Sequence, residues 1–263
     1  MRIRPAAPTD YDAFAALAPE LGSGWRVPSV QDWQGELAAN SLVAELDGSV
    51  VGYVMGVPAG TRGYVHQLAV GAQNRRRGAG RLLLRAMAER LLGSGCSEWL
   101  LNVDGHNQAA RALYERFGLR PLVRKCHVDL ASTALARLPA DPDVRGRVVD
   151  PADDVATEQR FGLAPGSLRW YRQIRAVPVE AVDDHGHRLG FAAYAPERAV
   201  VRPLQLYRCD ALRELLAAAG PLAPQLRLVV EHEELLAALV EAGGVAGAEE
   251  LEYAGPLHSG ILG

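Results

Sequence analysis

A chain of 263 residues, 49% of them hydrophobic, can build one large domain or two ordinary ones, which excludes disorder as a description of the whole. A formal charge of −3 lacks the basic excess of a nucleic-acid binder, and no apolar run is long enough to span a bilayer or to act as a secretory leader. Cys96, Cys126 and Cys209 are scattered and form no C-x-x-C pair, so neither a disulfide framework nor a zinc knuckle is indicated. A cytoplasmic protein is expected, and the Ala, Arg and Gly usage is that of a GC-rich bacterial genome.

Ile3–Pro5 reads as a first strand, and Thr9-Asp10 starts a helix reaching about Leu17. Ser29 starts another, with Trp33, Leu37 and Ala38 on its apolar face. Leu42–Leu46 and Val50–Val57 are strands joined by Asp47-Gly48, a hairpin signal. Thr61–Val70 follows as a strand through Pro58-Ala59-Gly60. After the run Arg75-Arg76-Arg77-Gly78-Ala79-Gly80-Arg81, the residues Leu82, Leu83, Leu84, Met87, Leu91 and Leu92 recur at helical spacing. Glu98–Val103 is a strand. Asn107 suits a helix N-cap and Gly118 a C-terminal stop, and a strand near Val123–Leu130 closes the series.

The arginine–glycine run carries the chemistry. A glycine turn between a strand and a helix leaves several backbone N–H groups unpaired at the positive end of the helix dipole, which makes an anion site. Gly78 and Gly80 allow a phosphate to approach the backbone closely. The loop is not a Walker A, because no Gly-Lys-Ser/Thr follows. Nor is it the dinucleotide fingerprint, because Leu83 stands at the third glycine.

The loop resembles the Gln/Arg-x-x-Gly-x-Gly/Ala signature of the GNAT superfamily, the acyl-CoA-dependent N-acyltransferases. The strand Glu98–Val103, running into Asn107-x-x-Ala110-x-x-x-Tyr114 and Phe117-Gly118, resembles that family's second signature, in family order. The resemblance implies an α+β fold, a mixed, mainly antiparallel sheet flanked by helices. It implies that Arg75, Arg76, Arg77, Gly78, Ala79, Gly80 and Arg81 hold the pyrophosphate of coenzyme A. Asn102, Asn107 and Ala110 would lie along its pantetheine arm, and the strand end Leu68-Ala69-Val70 would offer a backbone N–H to the acyl carbonyl. Tyr114 would be the acid that protonates the departing sulfur. Asn107 and Tyr114 are seven residues apart, about two helical turns, and so share one face.

Strand alternation puts Tyr64, His66 and Leu68 on one face. A histidine there has the intrinsic pKa of a base, and the position resembles one of the histidines of the arylalkylamine N-acetyltransferases without implying that substrate. His66 reads equally as a wall residue that only hydrogen-bonds. Asp104 and Glu115 are lesser candidates for the base. The implied function is transfer of acetyl from acetyl-CoA to a primary amine of a small molecule or peptide, without metal, by a monomer or homodimer. The rival class is a non-catalytic acyl-CoA sensor or interaction module. Trp25 and Trp33 are candidates for an apolar acceptor pocket, with core packing expected for at least one.

The second half resembles the first. Asp184-His185-Gly186-His187-Arg188-Leu189-Gly190-Phe191 resembles Leu46–Tyr53, and Ala238–Gly244 resembles Ala112–Gly118. The chain therefore resembles a tandem GNAT protein: a catalytic domain over 1–130, a linker over 131–146 marked by Pro139, Asp141 and Pro142, and a degenerate GNAT-like domain over 147–263. In the second copy Tyr207-Arg208-Cys209-Asp210 stands where the phosphate loop should be, Val240 replaces the tyrosine, and Glu233 falls near the asparagine position. Asp183–His187 has metal-type residues, but a polar hairpin turn explains them better.

Overall fold

The computed structural model describes residues 1–21, 27–163 and 166–262. The elements run β1 (Arg2–Pro5), α1 (Tyr11–Leu17), α2 (Val30–Asp32), β2 (Ser41–Leu46), β3 (Ser49–Ala59), β4 (Arg62–Val70), α3 (Ala79–Gly93), β5 (Glu98–Asp104), α4 (Gln108–Arg116) and β6 (Arg120–Ala131). The same order then repeats: β7 (Val144–Val148), α5 (Asp154–Arg160), α6 (Ser167–Gln173), β8 (Val177–Asp183), β9 (Arg188–Ala195), β10 (Val200–Leu206), α7 (Leu212–Ala217), β11 (Gln225–Val230), α8 (Glu233–Glu241) and β12 (Val245–Pro256). No helix among the described residues is long and apolar enough to cross a membrane.

The chain packs as two compact units. The first comprises Met1–Val103, Asn107–Leu122 and Glu252–Gly263; the second comprises Asp104–His106 and Val123–Leu251. Boundaries drawn at 130 and 146 therefore differ from the packing, which returns the end of the chain to the first unit. Residues 131–146 are also not a bare linker. Ser132–Arg137 form a 3-10 helix, and Ala134, Leu135, Leu138 and Val144 are buried. Pro139 and Pro142 mark only the turn between that helix and β7.

In the first unit the sheet order is β1-β2-β3-β4-β5, followed by β12. β1–β2, β2–β3 and β3–β4 pair antiparallel, and β4 pairs with β5 in parallel. Asp47 (φ 51°) and Gly48 (φ 80°) make the β2–β3 turn, whose positive φ values match the strand twist. Helix α3 lies on β3 and β4 through Leu83, Leu84, Met87, Ala88 and Leu91, all fully or nearly fully buried. Asp10 is the N-cap of α1 but does not cap it with its side chain; its carboxylate accepts from the Ala7 N–H and from Arg4. Ser29 does cap, accepting the Asp32 N–H at 3.2 Å.

The second unit repeats this frame, in the order β7-β8-β9-β10-β11-β6, with β10 parallel to β11. The repeat reaches the side chains. Arg4 of β1 pairs with Asp10 (2.7 Å) and Glu45 of β2 (2.8 Å); Arg147 of β7 pairs with Asp153 (3.4 Å) and Glu180 of β8 (2.6 Å). Both segments read Arg-x-x-x-Pro-x-Asp, as Arg4, Pro8, Asp10 and as Arg147, Pro151, Asp153. Gly52 opposes Val70, and Gly190 opposes Leu206. A Cβ on Gly52 would meet the Ala69 carbonyl at 2.8 Å, and one on Gly190 would overlap the Leu206 side chain.

Within the second unit, Glu250 of β12 accepts two hydrogen bonds from Arg202 (2.9 and 3.0 Å) and stands 3.1 Å from His127 Nε2. Burial alone would raise its pKa. The His127 hydrogen bond and the Arg202 charge outweigh that and bring it down to about 2. A depressed carboxylate stabilises the folded state above its unfolded pKa, and that stability is lost as pH falls through the folded value. Glu250→Gln is expected to lower the unfolding free energy by about 2 kcal/mol at pH 7. The difference from the parent should shrink between about pH 4.5 and pH 2, read by urea titration at several pH values.

Candidate functional site

Strands β4 and β5 pair over only four residues, Arg62–Val65 against Glu98–Leu101. Beyond that, β4 runs on to Val70 along β3 alone, so its other edge faces an open notch. The register shows the cause. Met55 opposes Gln67 and Gly56 opposes Val65, so β4 carries one extra residue, His66, as a bulge. Gln67 turns inward, buried, and accepts the Tyr53 hydroxyl at 2.8 Å. His66 is exposed, its ring stacked 6.4 Å from Tyr64, and Leu68 is half-buried beyond it, as strand alternation predicts.

At the end of β4 the chain makes a 3-10 turn, Ala72–Asn74, and enters the arginine–glycine loop. Arg76 (φ 61°) and Gly78 (φ 85°) both take left-handed backbone, and Gly78 is the N-cap of α3. The Leu82 N–H reaches the Gly78 carbonyl at 3.0 Å, so the N–H groups of Ala79, Gly80 and Arg81 have no acceptor within the helix. A Cβ on Gly80 would lie 3.5 Å from Leu113 of α4, an ordinary van der Waals contact, so packing within the chain does not by itself demand glycine there.

The four arginines do not act alike. Arg75 folds back onto the loop, its Nε donating to the Val70 carbonyl at 3.2 Å and its guanidinium paired with Glu20. The other Glu20 oxygen accepts the Ala72 N–H at 3.0 Å. Arg75 therefore ties the loop to Glu20 and does not project with its neighbours. Glu20 had no signal in the sequence, since the pair spans 55 residues. Arg76, Arg77 and Arg81 are exposed and form no ion pair with the described residues.

Asn107 caps α4, its Oδ1 accepting the Ala110 N–H at 3.1 Å, which leaves its NH₂ as a donor. Asn102 is exposed on β5. Asp104 accepts the His106 N–H at 2.7 Å in a local turn. Tyr114 is buried, and burial pushes its phenol up to about 12. Its ring meets that of Tyr253 edge-on, centroids 6.1 Å apart at 62°. Trp33 is fully buried and stacked on Phe14 at 4.4 Å, a core residue and not a pocket wall. Trp25 lies outside the described residues.

The second unit keeps the notch and loses its ends. β10 pairs with β11 only at Val200–Val201, and it too carries an extra residue between Val201 and Leu204. The β10–α7 connection is five residues (207–211), against eight (71–78) in the first unit, and has no glycine. Arg208 is held there by Asp141 (2.5 Å) and Asp210 (2.6 Å). Helices α4 and α8 are each nine residues, with Asn107 and His232 at their N-cap positions, of which only Asn107 caps with its side chain, and are stopped by left-handed Gly118 and Gly243. These anchors correct the expected alignment by one residue. His232, not Glu233, stands at the asparagine position, and fully buried Leu239, not Val240, replaces Tyr114. Asp183 accepts the N–H groups of His185 and His187 and contacts His187 Nδ1 at 2.8 Å, which closes the β8–β9 turn. Among the described residues no group of three or more His, Cys, Asp or Glu is arranged to hold a metal ion.

A mixed sheet whose parallel pair splays before a glycine loop at a helix start is the frame of the GNAT acetyltransferases. The acetyltransferase (GNAT) family model matches residues 11–119, and this part of the chain belongs to that family. The whole chain is two tandem GNAT-like domains. It is similar in fold to a tandem GNAT protein of the clavulanic acid biosynthesis pathway, with a TM-score of 0.64, 19% identity and 98% of both chains covered. It is similar likewise to a GCN5-related N-acetyltransferase from Sphaerobacter thermophilus, at TM-score 0.65 and 16% identity over 98% of this chain and 96% of that one. A third, from Kribbella flavida, gives 0.61 and 17% over 99% of this chain and 73% of that one.

Gly78 is held at a φ that side chains resist. Gly78→Val is expected to lower stability by about 1–2 kcal/mol. Gly93→Ala at the other end of α3, where a Cβ meets nothing, should be neutral or slightly stabilising, both read from urea midpoints.

Proposed function

We propose that the first unit is an N-acetyltransferase that moves the acetyl group of acetyl-CoA to a primary amine. One observation carries the reading: the open edge of β4 leads through the 71–78 loop into a helix start whose first amides have no acceptor within the helix, beside three arginines that form no ion pair with the described residues. In this reading the pyrophosphate lies on the N–H groups of Gly78–Arg81, with Arg76, Arg77 and Arg81 supplying charge and Arg75 shaping the loop. Pantetheine runs along Leu68-Ala69-Val70, between Asn102 and the free NH₂ of Asn107, near Ala110. A backbone N–H of β4 donates a hydrogen bond to the acyl oxygen as negative charge develops there.

The acceptor must lose a proton before it attacks, because a free alkylamine is mostly protonated near neutral pH. His66, exposed at the bulge, takes that proton directly or through water. The amine nitrogen then bonds to the thioester carbon and gives up its second proton to solvent, while the C–S bond breaks and the sulfur takes a proton from Tyr114, which regains one from solvent. Tyr114 keeps its proton through the neutral range and is the donor nearest that role. The second unit, with Arg208 neutralised and Leu239 in place of the tyrosine, is a degenerate copy that does not transfer acetyl groups.

Calorimetry with coenzyme A, and thiol release from acetyl-CoA across an amine panel, test the reading. Tyr114→Phe is expected to lower kcat about tenfold to a hundredfold while the coenzyme A Kd stays within about twofold. Activity should show no falling limb below about pH 11 from Tyr114, because its folded pKa is raised. Tight cofactor binding with no turnover on any amine would favour the acyl-CoA sensor; no heat with coenzyme A would end both readings.

A further inference from the structure

The first unit holds one group that lies far from the family signatures in sequence and against Tyr114 in space. Tyr253 is near the end of β12, within the stretch Glu252–Gly263 that packs into this unit. It is fully buried. Its hydroxyl donates to Glu115 Oε1 at 3.1 Å and accepts from Arg111 Nε at 3.1 Å. Arg111 and Glu115 stand three residues before and one after Tyr114 on α4, so the two hydrogen bonds fasten the strand residue to the helix on both sides of the tyrosine. The Tyr253 ring then meets the Tyr114 ring edge-on. An aromatic edge contact has a directional preference, and this one is backed by two polar anchors, so it restricts the orientation of the Tyr114 ring. No hydrogen bond among the described residues fixes the Tyr114 hydroxyl itself.

We infer that Tyr253 is a positioning residue for acyl transfer, holding Tyr114 in the orientation from which its hydroxyl reaches the leaving sulfur. This rests on the acid role proposed for Tyr114. It also gives the C-terminal segment a part in the chemistry of the N-terminal unit, although the second unit has no working site of its own.

A double-mutant cycle in the full-length chain tests it. Tyr253→Phe removes the two anchors but keeps the ring, and is expected to lower kcat about threefold to tenfold with the coenzyme A Kd unchanged. Tyr253→Leu removes the ring as well and should lower kcat further. In a Tyr114→Phe background both losses should vanish, because there is no hydroxyl left to aim. A merely structural residue would lower kcat by the same factor in both backgrounds, and that result, or full kcat in Tyr253→Phe, overturns the inference. If Tyr253→Leu does not fold, the Phe cycle decides alone. Unchanged kcat in Tyr114→Phe would instead remove the acid role, a failure distinct from that of Tyr253.

Discussion

The bulge at His66 is the constraint from which the site follows. One extra residue in β4 halts its pairing with β5 after Val65 and leaves the strand held by β3 alone as far as Val70. Unpaired backbone at the middle of a sheet is costly unless something else bonds to it. In the proposed reading, an extended ligand with amides of its own meets that cost along the free edge of β4. The same bulge points Gln67 into the core, where Tyr53 satisfies it, and leaves His66 facing outward. Close packing reinforces the arrangement: Gly52 and Gly56 on β3 have no room for a Cβ against β4 and α3.

The two units show how much of this frame is independent of chemistry. Both have the bulge, the short parallel pairing, the glycine opposite the strand end and the arginine on the first strand bridging two carboxylates. They differ where the notch meets its flanking helices. The first unit has a long loop with left-handed positions and a fifteen-residue α3; the second has a short connection and a six-residue α7. In the proposed reading the phosphate is held by that loop and not by the sheet, so a copy can lose the loop and still fold.

The fold and the loop were legible in the sequence because their signals are local. Asp47-Gly48, the alternation of Thr61–Val70, the leucine spacing after Arg81 and the cap–stop pair Asn107 and Gly118 each act within a few residues. What escaped is long-range. The Arg75–Glu20 pair spans 55 residues, and the membership of Glu252–Gly263 in the first unit follows from packing alone. The region 131–146 reads as a linker because its two prolines are more visible than its buried alanine and leucines. The Arg-x-x-x-Pro-x-Asp spacing that precedes α1 and α5 is a further sign of the repeat, visible in the sequence only once the two pairs of carboxylates are seen to bind its arginines. The one-residue error at α8 came from matching letters where the caps, which set helix phase, were the better guide.

Tyr253 is reached late when the chain is made from its N-terminus. Until synthesis has passed that residue, α4 lacks the partner for Arg111 and Glu115, and the nascent first unit remains short of its last buried aromatic. A ribosome that stalls or stops early within the second unit therefore releases a protein with its whole signature region and an incomplete interior. The chain order makes completion of one domain a check on the production of the other.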